Sequence, residues 1–118
     1  MKINQKIHKT EYSFSGDVWR SKGKAGWYFV SLPLELTETI REAHQVSEEG
    51  WGRLKTKARV GNYAWKTSIW FDKKNNTYLL PFKAEVRKKL DVAIGSTVAV
   101  KLFFEVDQRV FDLRDSFE

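Results

Sequence analysis

Arg53, Lys55, Lys57 and Arg59 stand at every second position of one stretch, with Leu54, Thr56, Ala58 and Val60 as the alternate set. In an extended strand, alternate side chains leave the same face about 7 Å apart. That is close to the separation of successive phosphates on a nucleic-acid strand, so such a row can neutralise a polyanion backbone charge by charge. Gly61-Asn62 then turns the chain, and Lys66, Ser68 and Trp70 share one face of the next strand. Lys66 would add a charge, and Trp70 a flat ring on which a base can stack. The same row equally suits a solvated sheet face whose basic residues deter edge-to-edge association. Glu11, Glu105 and Asp107 are the acids placed to oppose it.

A second candidate is an anion cleft. Arg41 and Arg87 each follow a branched apolar residue, Ile40 and Val86, at the end of a short helical pattern. Two arginines related in this way could hold an anion bidentately, with Trp65 beside them. They could equally bond carbonyls or carboxylates of the framework. Trp27, Trp65, Trp70 and Tyr28 would line a pocket on one reading and fill a small barrel on the other. Trp70 is the tryptophan expected at the surface, because it shares parity with Lys66 and Ser68.

Enzymatic constellations are poor. His8 and His44 have no metal-ligand spacing, and cysteine is absent. Ser31 and Ser68 lack a nucleophile-elbow context. Lys83 and Glu85 read as an ordinary first helical turn. The glycines of SKGKAG sit beside lysines, but the phosphate-loop pattern and its helix are missing, so this is a hairpin turn. The expectation is a non-enzymatic chain without metal or cofactor.

These residues must be positioned by a small set of elements. His8 to Trp19 alternates as a half-buried strand, Ser21 to Gly26 turns, and Trp27 to Leu32 returns as a second strand stopped by Pro33. Residues 35–46 carry Leu36, Ile40 and Ala43 on one helical stripe. Strands follow over 52–60, 63–71 and 77–80, the last stopped by Pro81. A second helix spans 83–90 with a stripe of Phe82, Val86 and Leu90. The last strand runs from Thr97 to Val106 with Val98, Val100, Leu102 and Phe104 facing the core. Residues 1–7 form a ragged start, and 107–118 a polar tail that docks weakly or frays.

Composition sets outer limits. The 118 residues suffice for one domain, with a barrel over 8–106. The net charge of +6 favours polyanions at long range and also serves solubility. No secretory leader and no apolar run of about 18 residues is visible, so a cytoplasmic setting is expected. Monomer or homodimer is not decided by the sequence.

The chain repeats itself. GWYFVSLP, a helix ending at Ile40-Arg41 and a glycine-led strand are followed by NTYLLPF, a helix through Val86-Arg87 and another glycine-led strand. Two ββαβ units in tandem should close around a pseudo-twofold axis and so remove exposed sheet edges. Residues 80–102 resemble the AbrB/MazE-type segment of the double-split β-barrel at Leu80-Pro81, Val86-Arg87, Leu90, Val92, Gly95 and Val98. Those barrels are built from two swapped chains, whereas one chain here holds both halves.

Over residues 8–105 the pattern is similar to the bacterial domain-of-unknown-function family nineteen-oh-five. The likeness rests on Gly26-Trp27-Tyr28-Phe29-Val30, Leu32-Pro33, Ile40-Arg41 and Gly50-Trp51-Gly52. It continues through Trp65-Lys66-Thr67-Ser68, Tyr78-Leu79-Leu80-Pro81, Lys83, Val86-Arg87 and Gly95. The resemblance implies a mainly β double-split barrel of about six strands and two short helices, with no established activity. Three functions stay open: a module binding nucleic acid or another polyanion, a protein-interaction module serving a bacteriocin-protection-type partner, or a binder of a small anion near Arg41 and Arg87.

Overall fold

A computed structural model describes residues 7–23 and 26–107. Six strands and two helices alternate as two ββαβ units. The first holds β1 (Ile7–Arg20), β2 (Tyr28–Ser31), α1 (Leu34–His44) and β3 (Arg53–Val60); the second holds β4 (Tyr63–Asp72), β5 (Thr77–Pro81), α2 (Ala84–Leu90) and β6 (Thr97–Asp107). The strands close into a barrel in the order β1-β2-β5-β4-β3-β6, with every neighbouring pair antiparallel. Closure gives every strand a partner on each side over part of its length, which is how a small all-β wall limits pairing with other chains. No helix among the described residues is long and apolar enough to cross a membrane. Lys24 and Ala25 of the first turn, residues 1–6 and the tail beyond Asp107 lie outside the described residues.

Alternation puts one set of side chains inside. Leu54, Ala58, Ile69, Leu80, Val100 and Leu102 are buried in one cluster with Val18, Val30 and Phe82. β1 leaves β6 after Asp17 and joins β2 from Val18 onwards, so the wall folds over at Gly16. A Cβ there would lie 2.7 Å from Val30 Cγ1, and only glycine permits that approach.

The two units are related by a pseudo-twofold axis, and the register defines it. Val30 faces Leu80, flanked by Phe29–Pro81 and Ser31–Leu79. The Leu32 N–H donates to Tyr78 O at 3.0 Å, and the Phe82 N–H donates to Tyr28 O at 2.8 Å. This reciprocity sets Tyr28, Val30 and Leu32 on Tyr78, Leu80 and Phe82. Across the barrel Arg59 of β3 faces Lys101 of β6, and the same operation exchanges them. Followed through the ladders, Trp19 corresponds to Trp70, Ser15 to Lys66, and Lys57 to Ala99.

That register corrects the expected alignment of the two helices. The first backbone bonds of α1 and α2 are Thr37 N–H to Pro33 O and Arg87 N–H to Lys83 O, both 2.9 Å. Pro33 therefore corresponds to Lys83, and Arg87 to Thr37. The two Leu-Pro dipeptides are offset, because Pro81 is itself the last residue of β5, opposite Phe29. Arg41 and Arg87 are not a symmetry pair.

The buried face of α1 also differs from the expected stripe. Thr37, Ile40 and His44 are buried, Leu36 is half-buried and Ala43 is exposed. The two polar residues are tolerated because both are hydrogen-bonded. The Thr77 hydroxyl donates to Leu32 O at 2.7 Å, so its oxygen is left to accept from the Thr37 hydroxyl at 3.0 Å. Thr37 Oγ1 in turn accepts the Tyr78 N–H at 3.2 Å. This one-way chain of donors fastens α1 to β5. His44 Nε2 lies 3.1 Å from Tyr12 Oη and 3.3 Å from Thr10 Oγ1, and its ring stacks on Phe104 at 4.5 Å.

Candidate functional site

Among the described residues every buried side-chain nitrogen or oxygen has a hydrogen-bond partner, so nothing polar inside waits for a ligand. The outer wall is different. β3 buries Leu54, Thr56 and Ala58 and exposes Arg53, Lys55, Lys57 and Arg59. The expected row therefore faces solvent. β4 lies beside it with Lys66 directly opposite Lys57, Ser68 opposite Lys55 and Trp70 opposite Arg53. On the other flank β6 sets Phe103 opposite Lys57 and Lys101 opposite Arg59.

A groove of about 800 Å³ runs over this wall. Lys55, Lys57, Arg59 and Lys66 rise around it, Ala64 and Phe103 provide apolar surface, and Glu105 stands among them. Phe103 was not singled out as a site residue from the sequence. Its parity opposite to Leu102 and Phe104 was the available signal: an aromatic on the outer face of a strand. The Arg59 guanidinium lies 5.8 Å from the centre of its ring.

Among the described side chains, the acid in ion-pair contact with the row is Glu49, which the sequence did not single out; the side chain of Asp107 lies outside those described. Glu49 contacts Arg53 at 3.3 Å and Lys55 at 3.5 Å. Glu49 reaches them because its backbone forms an isolated bridge to Arg53, with reciprocal bonds of 2.7 and 3.2 Å. Glu11 is engaged by Lys101 at 3.4 Å. Among the described residues, Lys57, Arg59 and Lys66 have no carboxylate within 4.0 Å. Lys57 and Lys66 therefore meet as like charges across a strand pair, an arrangement that destabilises a sheet.

The pseudo-twofold axis supplies a comparison within one molecule. A second, smaller groove of about 440 Å³ is lined by Ser13, Ser15, Arg59, Gly61, Ala99 and Lys101. Under the axis Lys57 corresponds to Ala99, Lys66 to Ser15, Ala64 to Ser13 and Phe103 to Gly61. The two grooves are one fold position filled in two ways. One copy adds Lys57, Lys66 and Phe103; the other keeps Arg59 and Lys101 but has Ala99, Ser15 and Gly61 at those three places, on the same ladder.

The family described as Domain of unknown function (DUF1905) matches residues 14–102, from mid-β1 to β6. The chain belongs to that family. Among curated proteins no match is found. The DUF1905 match spans the whole basic row and Lys66, and it ends one residue before Phe103.

The DUF1905 barrel distributes the remaining candidates elsewhere. Arg41 stacks on Phe71 at 3.7 Å and faces Glu48 at 3.9 Å. Glu48 also accepts the Tyr78 hydroxyl at 2.8 Å. Burial and this carboxylate push the Tyr78 hydroxyl above its ordinary pKa. Arg87 donates to Phe82 O at 2.8 Å and stacks on Tyr28 at 3.6 Å. Trp65 lies against Tyr63 and Phe82 at 5.5 and 5.6 Å. Each arginine thus has its own ring and acceptor, and neither groove includes Arg41, Arg87 or Trp65.

Trp70 is 38% exposed and Trp27 40% exposed, and their rings meet at 5.5 Å. Trp27 also stacks on Phe29 at 6.1 Å, and Phe29 meets Trp19 at 5.2 Å. These rings form a ridge on the outer wall, at the Arg53 end of the basic row.

Proposed function

We propose that this chain is a small non-enzymatic binding module whose basic outer wall holds a polyanion, with nucleic acid as the foremost case. The observation that supports this reading is the unequal pair of grooves. Where the fold is satisfied by Ala99 and Ser15, the other copy places Lys57 and Lys66 face to face. The ladder does not need those charges, and their mutual repulsion works against it. A bound polyanion would convert that repulsion into attraction.

Lys57, Arg59 and Lys66 would neutralise phosphates or equivalent anions directly. Arg53 and Lys55 would contribute by exchanging Glu49 for the ligand. Because Arg41 and Arg87 are each engaged by an aromatic ring and an acceptor, a small-anion cleft between them is not favoured. A reducing cytoplasm suits a cysteine-free chain with such a ligand.

The test is binding of a labelled oligonucleotide against salt. Neutralising three or four phosphates of a single strand gives a slope of log affinity on log salt of about −2 to −3. Lys57→Glu with Arg59→Glu should abolish binding at 50 mM salt, a concentration in the range where such contacts are strongest. Binding that ignores salt or survives the double reversal would remove the reading.

A further inference from the structure

We infer that the wall is built for an unpaired strand with exposed bases, and selects single-stranded nucleic acid over duplex and over base-free polyanions. This rests on the polyanion reading above and adds to it the aromatic rings that flank the row.

Two aromatic surfaces border β3, one on each side. Phe103 lies beside Lys57 on the β6 flank, with the Arg59 guanidinium 5.8 Å from its centre. Trp70 lies beside Arg53 on the β4 flank and carries the exposed Trp27 against it. Lys57 and Arg53 are four residues apart on one strand, or about 13 Å. That is about two phosphate intervals of an extended single strand. The spacing matches a backbone on the cations with bases turned alternately to Phe103 and to Trp70.

A duplex keeps its bases stacked inside and could use only the charges. A single strand offers faces that stack on rings with little regard for sequence, and the Arg59–Phe103 pair adds a cation beside one of them. The opposite groove fits the same logic: it keeps Arg59 and Lys101 but has no counterpart of the Lys57–Lys66 pair, and Gly61 stands where Phe103 would be. The row from Arg53 to Arg59 is about 20 Å long, enough for three or four nucleotides.

The experiment compares four probes on the full chain at 50 mM salt: a ten-residue oligothymidylate, its base-free sugar-phosphate counterpart, a duplex of equal length, and inorganic polyphosphate. The single strand should bind at least ten-fold more tightly than each of the others and should quench tryptophan fluorescence. Phe103→Leu keeps apolar bulk without a π face, and Trp70→Ala removes the second platform. Each should lower the oligothymidylate affinity about ten-fold and leave polyphosphate binding unchanged. Equal affinity for all four probes, untouched by either variant, would overturn the single-strand inference while leaving the polyanion reading intact. Absence of binding to every probe would remove both.

Discussion

At the scale of single residues, the buried polar groups make the sharpest commitments. His44 is enclosed by Phe104, Tyr12 and Thr10, and burial holds its pKa below the ordinary histidine value. The folded barrel therefore takes up that proton at lower pH than the unfolded chain, whose histidine titrates near about pH 6.5. A folded pKa below the unfolded one gives stability that is present above about pH 6.5 and declines as pH falls through that value. Chemical denaturation at pH 7.5 and pH 5.5 should show this decline, and His44→Gln should flatten it across that interval. Thr37 offers a second check. Thr37→Val removes the acceptor of the buried Tyr78 N–H and the donor to Thr77, and should lower stability by about 1–3 kcal/mol.

The sequence did not reveal either residue's place. A helical stripe scored on hydropathy selects Ala43 beside Leu36 and Ile40, whereas the barrel buries polar residues that its own hydroxyls and backbone can bond. Phe103 escaped notice for another reason: parity already set it apart from Leu102 and Phe104, but a single outward aromatic is no site signal until the ladder puts it beside Lys57.

Among elements, β3 and β4 carry the functional claim. Their alternation was legible residue by residue, because Leu54, Thr56 and Ala58 leave no other face for Arg53, Lys55, Lys57 and Arg59. The acid that quenches half the row was not legible. Glu49 reaches Arg53 and Lys55 only through a single-turn 3-10 segment, Gly50–Gly52, that folds the chain back before β3. Glu49→Gln should free both cations and raise oligonucleotide affinity several-fold, read by fluorescence anisotropy at low salt. Lys66→Glu should move two properties in opposite directions. It replaces a repulsive cross-strand pair with an attractive one, which adds about 0.2–1 kcal/mol of stability, and it reverses a charge in the groove. A melting temperature that rises as affinity collapses would mark Lys66 as kept for binding.

For the whole molecule, the tandem ββαβ order and the closed barrel follow from the visible repeat. The axis that relates the halves does not, because matching Leu-Pro dipeptides gives a register offset from the one the ladder adopts. Only the ladder shows Val30 on Leu80 and Arg59 on Lys101, and only then do the two grooves become counterparts.

That symmetry also defines the most direct measurement. Lys57→Ala with Lys66→Ser gives the basic groove the residues its counterpart already carries at Ala99 and Ser15. The double variant should fold with stability equal to or slightly above the parent's. Its oligonucleotide affinity should fall at least ten-fold, with a salt slope shallower by about 1.4, the share of two phosphates on a single strand. Parent-like affinity and slope in that folded variant would contradict the claim that the two lysines are there to hold a polyanion.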